Sequence, residues 1–152
     1  MSVTRTTALA ALMVLAAAGV GESLTTSELH RSGTCGGQRA TINGTKRDDR
    51  LVGTGRPDVI DAGPGVDTVL GNGGNDRICG SHDNDQLTGG AGNDRIYGGL
   101  GDDRLTGSGG EDVLDGEQDN DRLAGGAGRD KCSGGSGRDR GTGSCESGKT
   151  ER

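Results

Sequence analysis

Phenylalanine and tryptophan are absent from the 152 residues, tyrosine occurs once and proline twice. Large aromatic side chains dominate ordinary cores, so a conventional globular core is excluded. The hydrophobic fraction is only 28%. At that level buried apolar area does not offset chain entropy, and composition alone points to disorder. No apolar run is long enough to cross a bilayer as a helix; Ala8–Ala18 is too short, which argues against membrane insertion. Excess positive charge is missing as well. The chain has 17 basic and 23 acidic residues, net charge −6, and the stretch Gly44–Thr142 holds 12 of the basic and 19 of the acidic ones. Such a surface lacks the basic stripe that phosphate binding needs, which excludes nucleic acid as a partner, and it suits a multivalent cation. No H-E-x-x-H, G-x-S-x-G or P-loop pattern occurs. His30 and His82 have no metal-ligating or nucleophilic partner in sequence and read as solvated, so no enzyme is expected.

What is present begins with a leader. Arg5 precedes the apolar run, and small residues at Ala16, Ala18 and Gly19 place a cleavage site after Ala18. No Cys follows at once, so no lipoprotein anchor is expected. Residues 1–18 therefore read as a secretory signal and 19–34 as a polar linker. In an exported, extracellular chain the four cysteines Cys35, Cys79, Cys132 and Cys145 read as two disulfides. A zinc site would need ligands clustered at short spacing.

Glycine, at 33 residues, is the commonest feature, and it is periodic. A nine-residue frame starting at Gly44 puts Asp at its sixth position eleven times without a slip: Asp49, Asp58, Asp67, Asp76, Asp85, Asp94, Asp103, Asp112, Asp121, Asp130 and Asp139. The eighth position is aliphatic from Leu51 to Leu123, then Cys132, and Gly141 last. The first is Gly in ten of eleven repeats, Ala62 being the exception. Gly89–Tyr97 and Gly98–Thr106 match G-G-x-G-x-D-x-U-x in full. One apolar residue per nine predicts a strand of about three residues with its middle side chain inward. Glycines at positions one, two and four predict positive φ in a tight turn. Aspartates stacked one strand spacing apart, about 4.8 Å, repel by roughly 1 to 3 kcal/mol per neighbouring pair. A hard cation that takes six to eight oxygens, calcium, is the natural neutraliser.

With these motifs the chain resembles the RTX (repeats-in-toxin) calcium-binding proteins over Gly44–Thr142. The resemblance implies an all-β fold, a right-handed parallel β-roll of five to six turns, two repeats to a turn. It implies Ca2+ between repeats eighteen residues apart, held by one ladder of Asp76, Asp94, Asp112 and Asp130 and another of Asp67, Asp85, Asp103 and Asp121. Turn carbonyls such as those of Gly89, Gly90, Gly92, Gly98, Gly99 and Gly101 would complete the sites.

Departures from the pattern grade the repeats. Arg47 and Arg56 replace the fourth-position Gly, so little or no calcium is expected there. Asp83 and Asp119 take the same position later and add carboxylates. Cys35–Asn43 keeps a Gly pair and an inward Ile42 but has Ala40 in place of Asp, reading as a metal-free cap repeat over 35–43. Residues 143–152 read as a C-terminal cap and tail. A Cys132–Cys145 bridge would tie down one end and Cys35–Cys79 the other, with the other two connectivities open. Position seven is basic in seven repeats, Arg50, Arg77, Arg95, Arg104, Arg122, Lys131 and Arg140, and reads as a solubilising outer face. The function expected is a secreted calcium-binding module with a structural or binding role. The alternatives are a cell-surface or matrix interaction protein and an accessory subunit of a secreted enzyme, with no protein or glycan partner identified.

Overall fold

The structure, a computed structural model, describes residues 33–142 and Cys145. The expected leader and most of the linker and tail lie outside the described residues. The fold is all strand. A short antiparallel pair, β1 (Thr34–Cys35) and β2 (Gln38–Arg39), leads into twelve strands that alternate between two six-stranded parallel sheets. The first sheet holds β4 (Arg50–Val52), β6 (Thr68–Gly73), β8 (Gln86–Ala91), β10 (Arg104–Gly109), β12 (Arg122–Ala127) and β14 (Arg140–Thr142). The second holds β3 (Ile42–Asn43), β5 (Val59–Pro64), β7 (Arg77–His82), β9 (Arg95–Leu100), β11 (Val113–Glu117) and β13 (Lys131–Ser133). Every coil consists of one strand from each sheet, giving a β-roll of six coils.

Register follows the nine-residue frame. Each strand pairs with the strand eighteen residues away: Leu87 lies beside Leu105 and Leu105 beside Leu123 in one sheet, Ile60 beside Ile78 and Ile78 beside Ile96 in the other. The position-eight side chains from Leu51 to Leu114 are fully buried and form the core between the sheets. Position-seven residues Arg95, Arg104, Arg122 and Lys131 point outward and are exposed. A slip of one residue would invert both sets, so the aliphatic period pins the register.

Three local expectations are corrected. Most central strands are six residues long, not three, because they continue through positions one to three. Position one faces inward, two residues beyond the aliphatic one, as a strand's period of two requires. Its glycine does not have positive φ; only positions two and four do, as at Gly90 (116°) and Gly92 (125°). Position one is glycine because no room remains for a side chain. A Cβ on Gly89 would overlap the Asp94 carboxylate, and one on Gly98 would lie 2.7 Å from the Gly116 carbonyl oxygen. The segment 35–43 is not a full roll repeat either. It turns back as the β1–β2 hairpin through Gly36 and Gly37, both with positive φ, and only Ile42–Asn43 joins a sheet.

Both ends are covalently tied. Cys35 is bonded to Cys79 and Cys132 to Cys145. At the C-terminal end, Gly141 stands where an inward aliphatic residue belongs, and Cys145 packs into the core against it. The roll therefore extends through β14, and a residue from the next segment fills the gap.

Candidate metal centre

The turns joining the two sheets stack into two columns, one at each edge of the roll. The connections from the second sheet to the first carry Asp49, Asp67, Asp85, Asp103, Asp121 and Asp139. The opposite connections carry Asp58, Asp76, Asp94, Asp112 and Asp130. The aspartates thus stack in two columns, one along each edge. The sixth position lies two residues before the aliphatic one, on the same inward face, so these side chains are buried, except Asp58 and Asp139, which are half-buried.

From Asp67 and Asp76 onward each aspartate is held in the same way. Its Oδ1 accepts the backbone N–H of the aspartate eighteen residues earlier: Asp49 donates to Asp67, Asp67 to Asp85, Asp85 to Asp103 and Asp103 to Asp121, all at 2.7–2.9 Å. The other column repeats this from Asp58 through Asp76, Asp94 and Asp112 to Asp130. Backbone carbonyls of the same residues accept sheet N–H groups, as Asp85 does from Arg104 and Asp94 from Val113. The second carboxylate oxygen is left over. Oδ2 of Asp67, Asp76, Asp85, Asp94, Asp103, Asp112 and Asp121 is buried with no hydrogen-bond partner. A buried carboxylate oxygen without a donor is costly, and seven in two rows favour either protonation or a counter-charge.

Burial accordingly raises these acids above the ordinary carboxylate range, against the lowering effect of the donated N–H. Asp85 is pushed up to about 8, Asp67 and Asp103 to about 7, and Asp76, Asp94 and Asp121 to about 6. Asp112 is raised by the same cause. Charge from ladder neighbours adds to the shift, and near Asp85 and Asp103 so do Asp83, Asp102 and Asp119.

The glycine carbonyls divide into three groups. Those of Gly89 and Gly98 face Gly71 and Gly80 in the preceding coil, and that of Gly92 faces Gly110 in the next. Gly99 already accepts the Gln118 N–H at 3.0 Å. Gly90 and Gly101 supply positive-φ turn positions. Among the described residues no group of three or more His, Cys, Asp or Glu side chains converges on one point. The groups lining each turn are carboxylate and carbonyl oxygens, a kind of donor that suits a hard cation better than zinc.

Two features were not read from the sequence. Position five forms a second ladder running the other way: the Oδ1 atoms of Asp48, Asn75, Asn84, Asn93, Asp102 and Asn120 accept the N–H of the residue eighteen later. Asx residues fill six of eleven fifth positions, a signal available once the frame was set. The other is that Asp49 and Asp58 lack the orphaned oxygen. Oδ2 of Asp49 accepts both the N–H (2.6 Å) and the hydroxyl (2.9 Å) of Thr45, and that of Asp58 both groups of Thr54 at 2.7 and 2.8 Å.

A family model described as the RTX calcium-binding nonapeptide repeat, in four copies, matches residues 43–78, 80–114 and 106–140. No curated protein and no solved structure matches the chain. The nine-residue frame, the six-coil roll and the buried aspartate ladders agree with that match, and the chain belongs to the RTX calcium-binding nonapeptide-repeat family.

Proposed function

We propose that the protein is a secreted β-roll whose folding is completed by calcium and whose role is structural or binding, not catalytic. The observation that carries this reading is the set of seven buried, unpartnered Oδ2 atoms. In the proposed sites Asp67, Asp85, Asp103 and Asp121 hold calcium along one edge, and Asp76, Asp94, Asp112 and Asp130 along the other. Carbonyls of Gly89, Gly90, Gly92, Gly98, Gly99 and Gly101 supplement them. Calcium supplies the positive charge that lets these carboxylates remain ionised inside the roll, and its binding energy becomes folding energy. Export is supported by the apolar leader sequence and by two disulfides that fit an oxidising compartment.

The test is a calcium titration of the oxidised protein, followed by circular dichroism and calorimetry. Strand signal should rise cooperatively with calcium, and about six ions should bind, one between each successive pair of aspartates in the two ladders of four. A strand signal equally strong in excess chelator would overturn the reading.

A further inference from the structure

The aspartate ladders change character between their lower and upper coils. From Asp67 and Asp76 upward every turn has left-handed residues at positions two and four, and seven of these aspartates leave Oδ2 bare. Below, none of Thr45, Arg47, Thr54 and Arg56 has positive φ. These two turns close by a different network. The threonine hydroxyl donates to the aspartate Oδ2 and accepts the N–H of the arginine two residues on, Arg47 at 3.2 Å and Arg56 at 3.1 Å. The hydroxyl and N–H of the threonine thus occupy the carboxylate oxygen that further up has no donor. Chemically, Thr-x-Arg-x-Asp is a turn that needs no cation.

The disulfide marks the same division. Cys35 is joined to Cys79, which ends the fourth repeat, and Arg77 donates to the Gly36 carbonyl at 2.7 Å. The covalent loop encloses both threonine-closed turns and the apolar side chains Leu51, Ile60, Val69 and Ile78. Its upper rim, Asp67 and Asp76, accepts the N–H groups of Asp49 and Asp58.

We infer that the two threonine-closed turns and the strands the Cys35–Cys79 bridge holds over them form a calcium-independent base, and that its rim residues Asp67 and Asp76 begin the calcium-dependent coils assembled on it. The inference rests on the calcium reading and adds where metal dependence begins. Solenoid coils contact only their neighbours, so a preformed end offers the first metal-binding coil a ready partner and removes its nucleation step. Folding of the upper coils then proceeds from Cys79 toward the C-terminus.

Hydrogen exchange of the oxidised full chain tests this. In excess chelator the N–H groups of Thr45, Gly53, Thr54, Thr68 and Arg77 should remain protected, while those of Arg95, Arg104 and Arg122 exchange freely; calcium should protect both sets. Replacing the hydroxyls in a T45V/T54V variant should accelerate exchange in the base about tenfold or more in chelator, the loss expected of a buried acceptor deprived of its donor. Unchanged base exchange in that variant overturns the role of the threonines. Fast exchange of both sets in chelator, with calcium restoring protection, overturns the base and leaves the calcium reading intact. Protection of both sets in chelator overturns the calcium reading and the division with it.

Discussion

The same residue type performs two jobs in one ladder, and the neighbouring side chain decides which. Asp103 has its Oδ1 bound to the Asp85 N–H and its Oδ2 without a hydrogen-bond partner, so it fixes the coil below and keeps one oxygen for the proposed calcium. Asp49 has its Oδ2 saturated by Thr45. Alanine substitutions should separate the two. Asp103→Ala should lower the number of calcium ions bound and move the calcium midpoint of folding upward. Asp49→Ala should leave the ion count unchanged and cost about 1 to 3 kcal/mol of calcium-saturated stability, because it strands the threonine donors. Calorimetric ion counts and urea unfolding in saturating calcium measure both. Equal loss of bound calcium in the two variants would show that Asp49 is also a ligand.

At the scale of the strand, the nine-residue aliphatic period was sufficient to place the inward residues and the core, because one buried aliphatic side chain per strand leaves no alternative register, whereas the alternation between two sheets came from the family resemblance. The length of the strands was not legible. Their second inward residue is glycine, which carries no side chain and so gives no apolar signal at Gly71, Gly89 or Gly107. Both aspartate ladders could be read, since the carboxylates recur without a slip; the reversed ladder at position five left a weaker signal, because other residues interrupt its Asp and Asn. Threonine closure was invisible because Thr45 and Thr54 stand where glycine, serine and asparagine also occur, and only the hydrogen bonds distinguish them. A core this thin has few groups able to collapse into a void. Leu105, fully buried between Leu87 and Leu123, should therefore cost about 2 to 5 kcal/mol when cut to alanine. Half-exposed Val66, changed to serine, should shift stability by no more than about 0.5 kcal/mol. Urea unfolding in saturating calcium gives both values, and a small loss for Leu105→Ala would mean that the two sheets close over the gap.

Over the whole molecule, the two columns make the metal-free roll an acid-stabilised structure. Asp67, Asp85 and Asp103 have folded-state pKa values of about 7 to 8, and Asp76, Asp94 and Asp121 of about 6, against 3.8 when solvated. A group whose folded pKa is raised binds its proton more tightly in the native state, so between those values the native state holds more protons than the unfolded chain. The stability this confers is complete below about pH 4 and is lost as pH rises through 6 to 8. Metal-stripped protein should consequently gain strand signal as the pH is lowered from 8 to 5, with no calcium present. Protons and calcium both stabilise the folded coils, so less calcium should be needed to reach the folding midpoint as the pH falls over the same interval. The edge bearing Asp83, Asp102 and Asp119 contains the highest values, and removing that extra charge in an Asp83→Asn, Asp119→Asn variant should move the metal-free transition toward neutral pH. Circular dichroism against pH, with and without calcium, measures all three effects. A metal-free strand signal that is flat, or that grows with rising pH, would mean that these carboxylates are not buried before calcium arrives.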